Sequence, residues 1–214
     1  MAVFLACLAF AYGISRPAQL PAYMGASNAP VADRPFKGAI QPAKGKLLIA
    51  TPRLAGSIFS KTIILLIEHG PKGAQGVIIN RPTHLLLSSV LPDLKTPERA
   101  NEHVYYGGPV STNQLTFALI KAASPPENSK HVFGNVYSMP NIDDLKRIVQ
   151  GKTGEPFRVF AGYSGWASGQ LEAEIAMGSW RVAEPDEEMI FSTGGILKTD
   201  YKTIQGDSWP RRPL

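Results

Sequence analysis

The sequence predicts an α+β protein (mixed α/β) with a mixed or largely antiparallel sheet and flanking helices. Short β-branched runs follow one another in pairs across glycine and proline turns, and helical periodicity appears only late in the chain. The 214 residues suffice for one to two domains at roughly 150 residues each. With 44% apolar and 18% charged residues, 20 Gly and 18 Pro, the chain is globular and rich in turns, which excludes collagen, coiled coil and wholesale disorder. Cys7 is the only cysteine, so an intramolecular disulfide and cysteine-built zinc or iron–sulfur sites are excluded.

Residues 1–44 read as an apolar segment followed by a linker. Val3 to Tyr12 is as long as the apolar region of a signal peptide and well short of the roughly 20 residues that span a bilayer. Ala9-Phe10-Ala11 fits a cleavage site, but no Lys or Arg precedes the run, as it would if the true start lay upstream of residue 1. Export or tethering through residues 1–14 and a cytoplasmic address stand as equal expectations, and any membrane contact is expected only there. Pro17, Pro21, Pro30, Pro35 and Pro42 mark the extended linker.

Residues 45–191 read as one domain. Lys46 to Ala50 is a first strand, stopped by Thr51-Pro52. Thr62 to Ile67 is apolar without alternation, as in a central strand covered on both faces. Gly70-Pro71-Lys72-Gly73 turns it into a second central strand, Gly76 to Asn80. Leu85 to Val90 is expected as a short helix or turn, and Pro97 to Glu102 as a polar connection. Val104 to Tyr106 and Leu115 to Ile120 are expected to pair, with a weak strand near Val132 to Tyr137. Asn141 caps a helix carrying Ile142, Leu145, Ile148 and Val149, closed by Gly151. Phe157 to Ala161 is a strand leading through a glycine-rich turn, Gly162 to Trp166, into a helix from Ser168 to Met177 that Gly178 stops. Arg181 to Ala183 and Pro185 to Phe191 give a last strand and helix, and residues 192–214 form a tail.

No complete catalytic set emerges. Gly162-Tyr163-Ser164-Gly165-Trp166 misses the nucleophile elbow because Trp166 stands where the second glycine must be, so Ser164 is not expected to be a nucleophile. The amino terminus of the following helix, beside Gly165 and Gly169, is a weak anion site. On that helix Leu171 and Ile175 mark the buried stripe, and Gln170 and Glu174 form an i, i+4 pair along one edge with Glu172 on the other. A solvated flank is the simpler reading of the two glutamates, a cleft the alternative. Glu68 and His69 are strand neighbours facing opposite ways, and the remaining histidines are scattered, so no metal site is expected and no cofactor is implied. Arg81 ends the second central strand and suits either a bound carboxylate or a structural ion pair. The formal charge of +5 lies mostly in Arg16, Arg34, Lys37, Lys44, Lys46, Arg53 and Lys61 against Asp33, giving +6 in residues 1–61 and −1 beyond. With that placement and no nucleic-acid motif, direct nucleic-acid binding is not expected.

Five blocks occur in order: Gly45 to Pro52, Thr62 to His69, Gly76 to Thr83, Tyr106 to Val110, and Gly162 to Trp166 continuing through Gly169 to Ile175. Together they resemble the YqgE/AlgH family (UPF0301, DUF179), over about residues 45 to 191. The resemblance implies a sheet bent towards a barrel with helices packed around it, and no established enzymatic activity. One bacterial member has been described as a regulator of alginate production. The chain departs from the family pattern at Gly56-Ser57-Ile58-Phe59 and Gln114-Leu115-Thr116, where the family carries Asp-Pro-x-Phe and Arg-Gly-Phe.

The retained family residues Asn80, Arg81, Gly107, Gly108, Gly165, Trp166, Gln170, Glu172 and Glu174 are expected to converge on one groove. The leading functional expectation is a non-enzymatic binding or regulatory module acting through a protein partner or small ligand, with an apolar patch around Trp166. The alternatives are an enzyme using Glu172 or Glu174 with Arg81, and a transcriptional regulator.

Overall fold

The computed structural model of the protein describes residues 40–92, 101–150 and 154–191. The expected leader, most of the linker, the tail from Ser192, most of the 97–102 connection, Gly151, and the side chains of Ile148 and Val149 lie outside what is described. Strands β1 (Leu47–Ala50), β2 (Ile63–Gly70) and β3 (Gly73–Ile78) open the domain, with a 3-10 turn at Pro52–Leu54 between the first two. Both faces of β1 and β2 are covered, which explains their unbroken apolar runs. Leu47, Ile49, Ile63, Leu65 and Ile67 enter one core cluster, while Leu48, Ala50, Ile64 and Leu66 enter another. Each large side chain so buried contributes about 1.5–3 kcal/mol relative to exposure. Pro71 and Lys72 form the turn of the expected β2–β3 hairpin.

The remaining elements are β4 (Pro82–Leu86), α1 (Leu87–Val90), β5 (His103–Tyr106), β6 (Val110–Lys121), β7 (Lys130–Phe133), β8 (Val136–Met139), α2 (Ile142–Gln150), β9 (Phe157–Trp166), α3 (Gln170–Ala176), β10 (Trp180–Ala183) and α4 (Glu187–Phe191). The strand order is β10-β1-β2-β3-β9-β6-β8-β7, with β5 also beside β9 and β4 beside β5. All pairs are antiparallel except β5 with β9. Val132, Val136, Leu119, Phe160, Val77 and Ile190 join the β1–β2 side chains in one cluster, so a single face of the sheet curls around a shared interior. Lys130 of β7 reaches Glu68 of β2 at 2.7 Å across the opening of the curl. The outer face is covered in two places: α1 and α2 pack over β6, β8 and β9, while α3 packs over β1, β2 and β3.

Four expectations change. The weak strand near Val132 to Tyr137 is a hairpin, β7–β8, turning at Gly134-Asn135 with Gly134 at φ 47°. The Leu85 to Val90 segment divides into the end of β4 and α1; β4 begins with Pro82, which a strand tolerates at its first position. No turn interrupts β9, which runs unbroken to Trp166, and α3 starts only at Gln170. Finally, β5 and β6 are not partners. Both pair with the same residues of β9, Phe160 and Ala161, and therefore lie along its opposite edges.

The chain crosses β9 through Gly107-Gly108-Pro109, and glycine is required at the crossing. A Cβ on Gly107 would lie 2.2 Å from the Gly162 carbonyl oxygen, and one on Gly162, at φ 70°, 2.4 Å from that of Gly108. The expected helix cap holds, with the Asp143 N–H donating to Asn141 Oδ1 at 2.9 Å.

Candidate functional site

A concavity of about 510 Å³ lies where the tip of the β2–β3 hairpin meets the carboxyl end of β9. Backbone pairing brings the two together: Ala74 lies opposite Trp166, Gln75 opposite Gly165 and Gly76 opposite Ser164. Its walls are predominantly apolar, with Val110, Tyr163, Trp166 and Ala74 among them. Tyr163 packs edge-on against Phe117 at 6.1 Å, which fixes its ring. Besides Glu68 and Gln170, four polar side chains line it: Lys72, Gln75, Tyr163 and Ser168. Among the described residues none of the four has a side-chain hydrogen bond or ion pair, whereas Glu68 at the same mouth is bound to Lys130.

Beneath one wall lies a buried carboxylate. Glu174 Oε2 accepts from Trp166 Nε1 at 2.9 Å and from Trp180 Nε1 at 2.7 Å, and Oε1 accepts from Gln170 Nε2 at 2.9 Å. Gln170 Oε1 in turn accepts the Ala167 N–H at 3.1 Å. The indoles meet edge to face, 6.0 Å apart. The network ties α3 to the ends of β9 and β10 and so fixes one wall of the cavity. Glu174 is only 6% exposed, which corrects the solvated-flank reading for this residue. That reading describes Glu172, which is exposed and pairs with His69 at 2.8 Å.

The structure brings together part of the expected groove. Gly165, Trp166 and Gln170 line the cavity, with Glu174 behind it. Gly107 and Gly108 serve the β9 crossing. Asn80 and Arg81 follow the opposite end of β3 from Gly73, and their side chains clamp the loop before β2. Asn80 Oδ1 accepts the Ile63 N–H and Asn80 Nδ2 donates to the Lys61 carbonyl, both at 2.9 Å. Arg81 donates to the carbonyls of Ile58 and Ser60, and burial pushes its pKa below the ordinary arginine value. The single groove therefore gives way to two separate arrangements, and Arg81, Glu172 and Glu174 are each engaged with different partners and line neither this cavity nor a smaller one beside Arg158. The apolar surface expected around Trp166 is a cavity wall, because the ring itself is buried. Ser164 is also buried, its hydroxyl donating to the Gly107 carbonyl at 3.3 Å. With seven residues α3 is too short to present an anion site at its amino terminus.

Sequence reasoning missed Lys72, Gln75, Tyr163 and Ser168 as one set, although Lys72 stands in the recognised hairpin turn and Tyr163 in a quoted block. It also missed Arg158, whose buried guanidinium lies 4.4 Å from the Tyr105 ring centre and beside a smaller cavity of about 370 Å³. Burial lowers its pKa while Tyr105 and Glu102 oppose the shift. Among the described residues no three His, Cys, Asp or Glu side chains are grouped as a metal ion would need. No described helix is long and apolar enough to cross a membrane.

The fold and cavity define an α+β protein with a curled, mostly antiparallel sheet and a concavity between the β2–β3 hairpin tip and β9. The chain belongs to the AlgH-like family, DUF179, whose sequence model matches residues 47–204. A UPF0301 protein of Cytophaga hutchinsonii is 37% identical over 150 residues, covering 69% of this chain and 81% of that one. Another from Ralstonia pickettii is 38% identical over 151 residues, covering 69% and 79%. The solution structure of AlgH from Pseudomonas aeruginosa superposes with a TM-score of 0.62 at 30% identity, covering 78% of this chain and 88% of that one. A crystal structure of a protein from Corynebacterium diphtheriae gives 0.66 at 26% identity, covering 85% and 96%.

Proposed function

We propose that this protein is a non-enzymatic binding module whose cavity between the β2–β3 hairpin and β9 takes a small ligand. One observation carries the reading: Lys72, Gln75, Tyr163 and Ser168 offer polar atoms with no side-chain hydrogen bond, around walls that are otherwise largely apolar. Apolar walls with a few convergent polar groups are the common composition of small-molecule sites. The Glu174 network supports it further by holding the wall rigid before a ligand arrives. The catalytic alternative needs Arg81 beside Glu172 or Glu174, and these side chains are engaged in different places.

The test is a thermal-shift screen of the full chain against metabolites, nucleotides and small organic acids, repeated on Gly165→Leu. Position 165 lines the cavity, so leucine there obstructs it. A ligand at a hundred times its dissociation constant adds ~2.7 kcal/mol, or about 5–11 °C at this chain length, and the shift disappears in the variant. Hits that survive Gly165→Leu, or no hit at all, would overturn the reading.

A further inference from the structure

Resting on that cavity reading, we infer that the ligand is an anion with a flat apolar body, its negative group held by Lys72 and its body lying over Gly165 against Tyr163. Two formal charges line the cavity, Glu68 and Lys72. The Glu68 carboxylate is already neutralised by Lys130 Nζ at 2.7 Å. Lys72 has no partner among the described residues, is exposed, and lies at the hairpin tip where it lines the cavity. The cavity therefore presents a net positive charge to an incoming molecule. A cation would have to displace Lys130 from Glu68 while approaching Lys72, so the balance favours an anion.

The apolar half of the ligand follows from position 165. A Cβ built there meets only the Tyr163 ring, at 3.4 and 3.9 Å, and Gly165 has no positive φ that would demand glycine. The missing side chain leaves the Tyr163 ring edge and the adjacent β9 backbone uncovered, a surface that suits a planar group. Gln75, paired across from Gly165, and Ser168 supply neutral donors and acceptors at the rim. A planar apolar carboxylate or sulfonate meets all of these requirements.

Isothermal titration calorimetry on the full chain, using three naphthalene probes of similar size, separates the charge claim from the cavity claim. The probes are 2-naphthoate, neutral 2-naphthamide and cationic 2-naphthylmethylammonium. The expected order is naphthoate tightest, ahead of the amide by up to ~5-fold, the upper range for an exposed ion pair. In Lys72→Met the two converge to within about twofold, and raising the salt weakens naphthoate while leaving the amide unchanged. Gly165→Leu removes both; Gln75→Trp fills the same space from the paired strand if the first variant folds poorly, as judged by far-UV circular dichroism. Equal affinity for acid and amide, both lost on filling the cavity, would overturn the anion inference and leave the cavity reading standing. A preference for the ammonium probe would assign the ionic contact to Glu68 and likewise overturn it. Binding of none of the probes would overturn the inference, and binding indifferent to both filling variants would overturn the cavity reading with it.

Discussion

Glu174→Gln changes one oxygen to an NH2 group at nearly constant volume and tests whether the carboxylate holds α3, β9 and β10 together. With its carbonyl oxygen towards the two indoles, the new amide places NH2 against Gln170 Nε2, donor facing donor; flipped, it leaves both indoles without an acceptor. If Gln170 turns its own amide to compensate, it loses the Ala167 N–H. The cheapest arrangement weakens two charge-assisted bonds by about 1 kcal/mol each and leaves one donor unmatched at about 1–3 kcal/mol. Relief of carboxylate burial offsets part of that, leaving a net loss of ~2–3 kcal/mol. Urea titrations followed by far-UV circular dichroism at neutral pH measure it directly, and the melting temperature falls by about 4–12 °C. Trp180→Phe removes a single donor, and the double-mutant cycle with Glu174→Gln should give a coupling of ~1 kcal/mol or more. A Glu174→Gln protein within ~0.5 kcal/mol of the parent, or a Glu174→Leu protein as stable as the parent, would refute the assignment.

Three further outcomes are expected. Asn80→Ala leaves the Ile63 N–H without its acceptor, costing ~1–3 kcal/mol, and limited trypsin digestion read by mass spectrometry should show faster first cleavage after Lys61. Gly162→Ala forces a Cβ against the Gly108 carbonyl at a positive φ, and a loss of ~3 kcal/mol or more is expected in chemical denaturation. Glu187 accepts the Asn135 N–H and pairs with Lys121, and both interactions hold its pKa below the ordinary glutamate value. Its contribution is therefore complete above the unfolded-state pKa and lost as pH falls through the lowered folded one, so the stability gap between the parent and Glu187→Gln should be flat from about pH 5 to 7 and shrink below about pH 4.

The elements whose character depends on neighbours in sequence were legible. The unalternated run of β2 announced two covered faces, Asn141 announced a helix start, and Gly178, at φ 76°, ends the helical turn after Met177. The β7–β8 hairpin was read as one weak strand: Gly134-Asn135 is turn chemistry, but its flanking strands are too short to stand out. Glu174 shows where local reasoning stops: Gln170-x-x-x-Glu174 spacing reads the same whether the carboxylate meets water or two indoles. Likewise, nothing in Asn80-Arg81 distinguishes a ligand contact from a clamp on the loop before β2, because the backbone groups they bind lie 17 to 23 residues away.

By itself the sequence determined the fold class, the core-facing strands and the exclusion of an intramolecular disulfide or a cysteine-built metal site, because each follows from residue type and short-range period; the family followed from five motif blocks occurring in order. Only the tertiary structure decided that β9 serves three partners, with β5 and β6 on opposite edges, and that the expected groove divides into a loop clamp and a cavity. The reason is that strand pairing depends on which edges remain free once the sheet curls, and a site depends on side chains that distant strands bring together. Residue spacing along one strand or helix carries neither quantity.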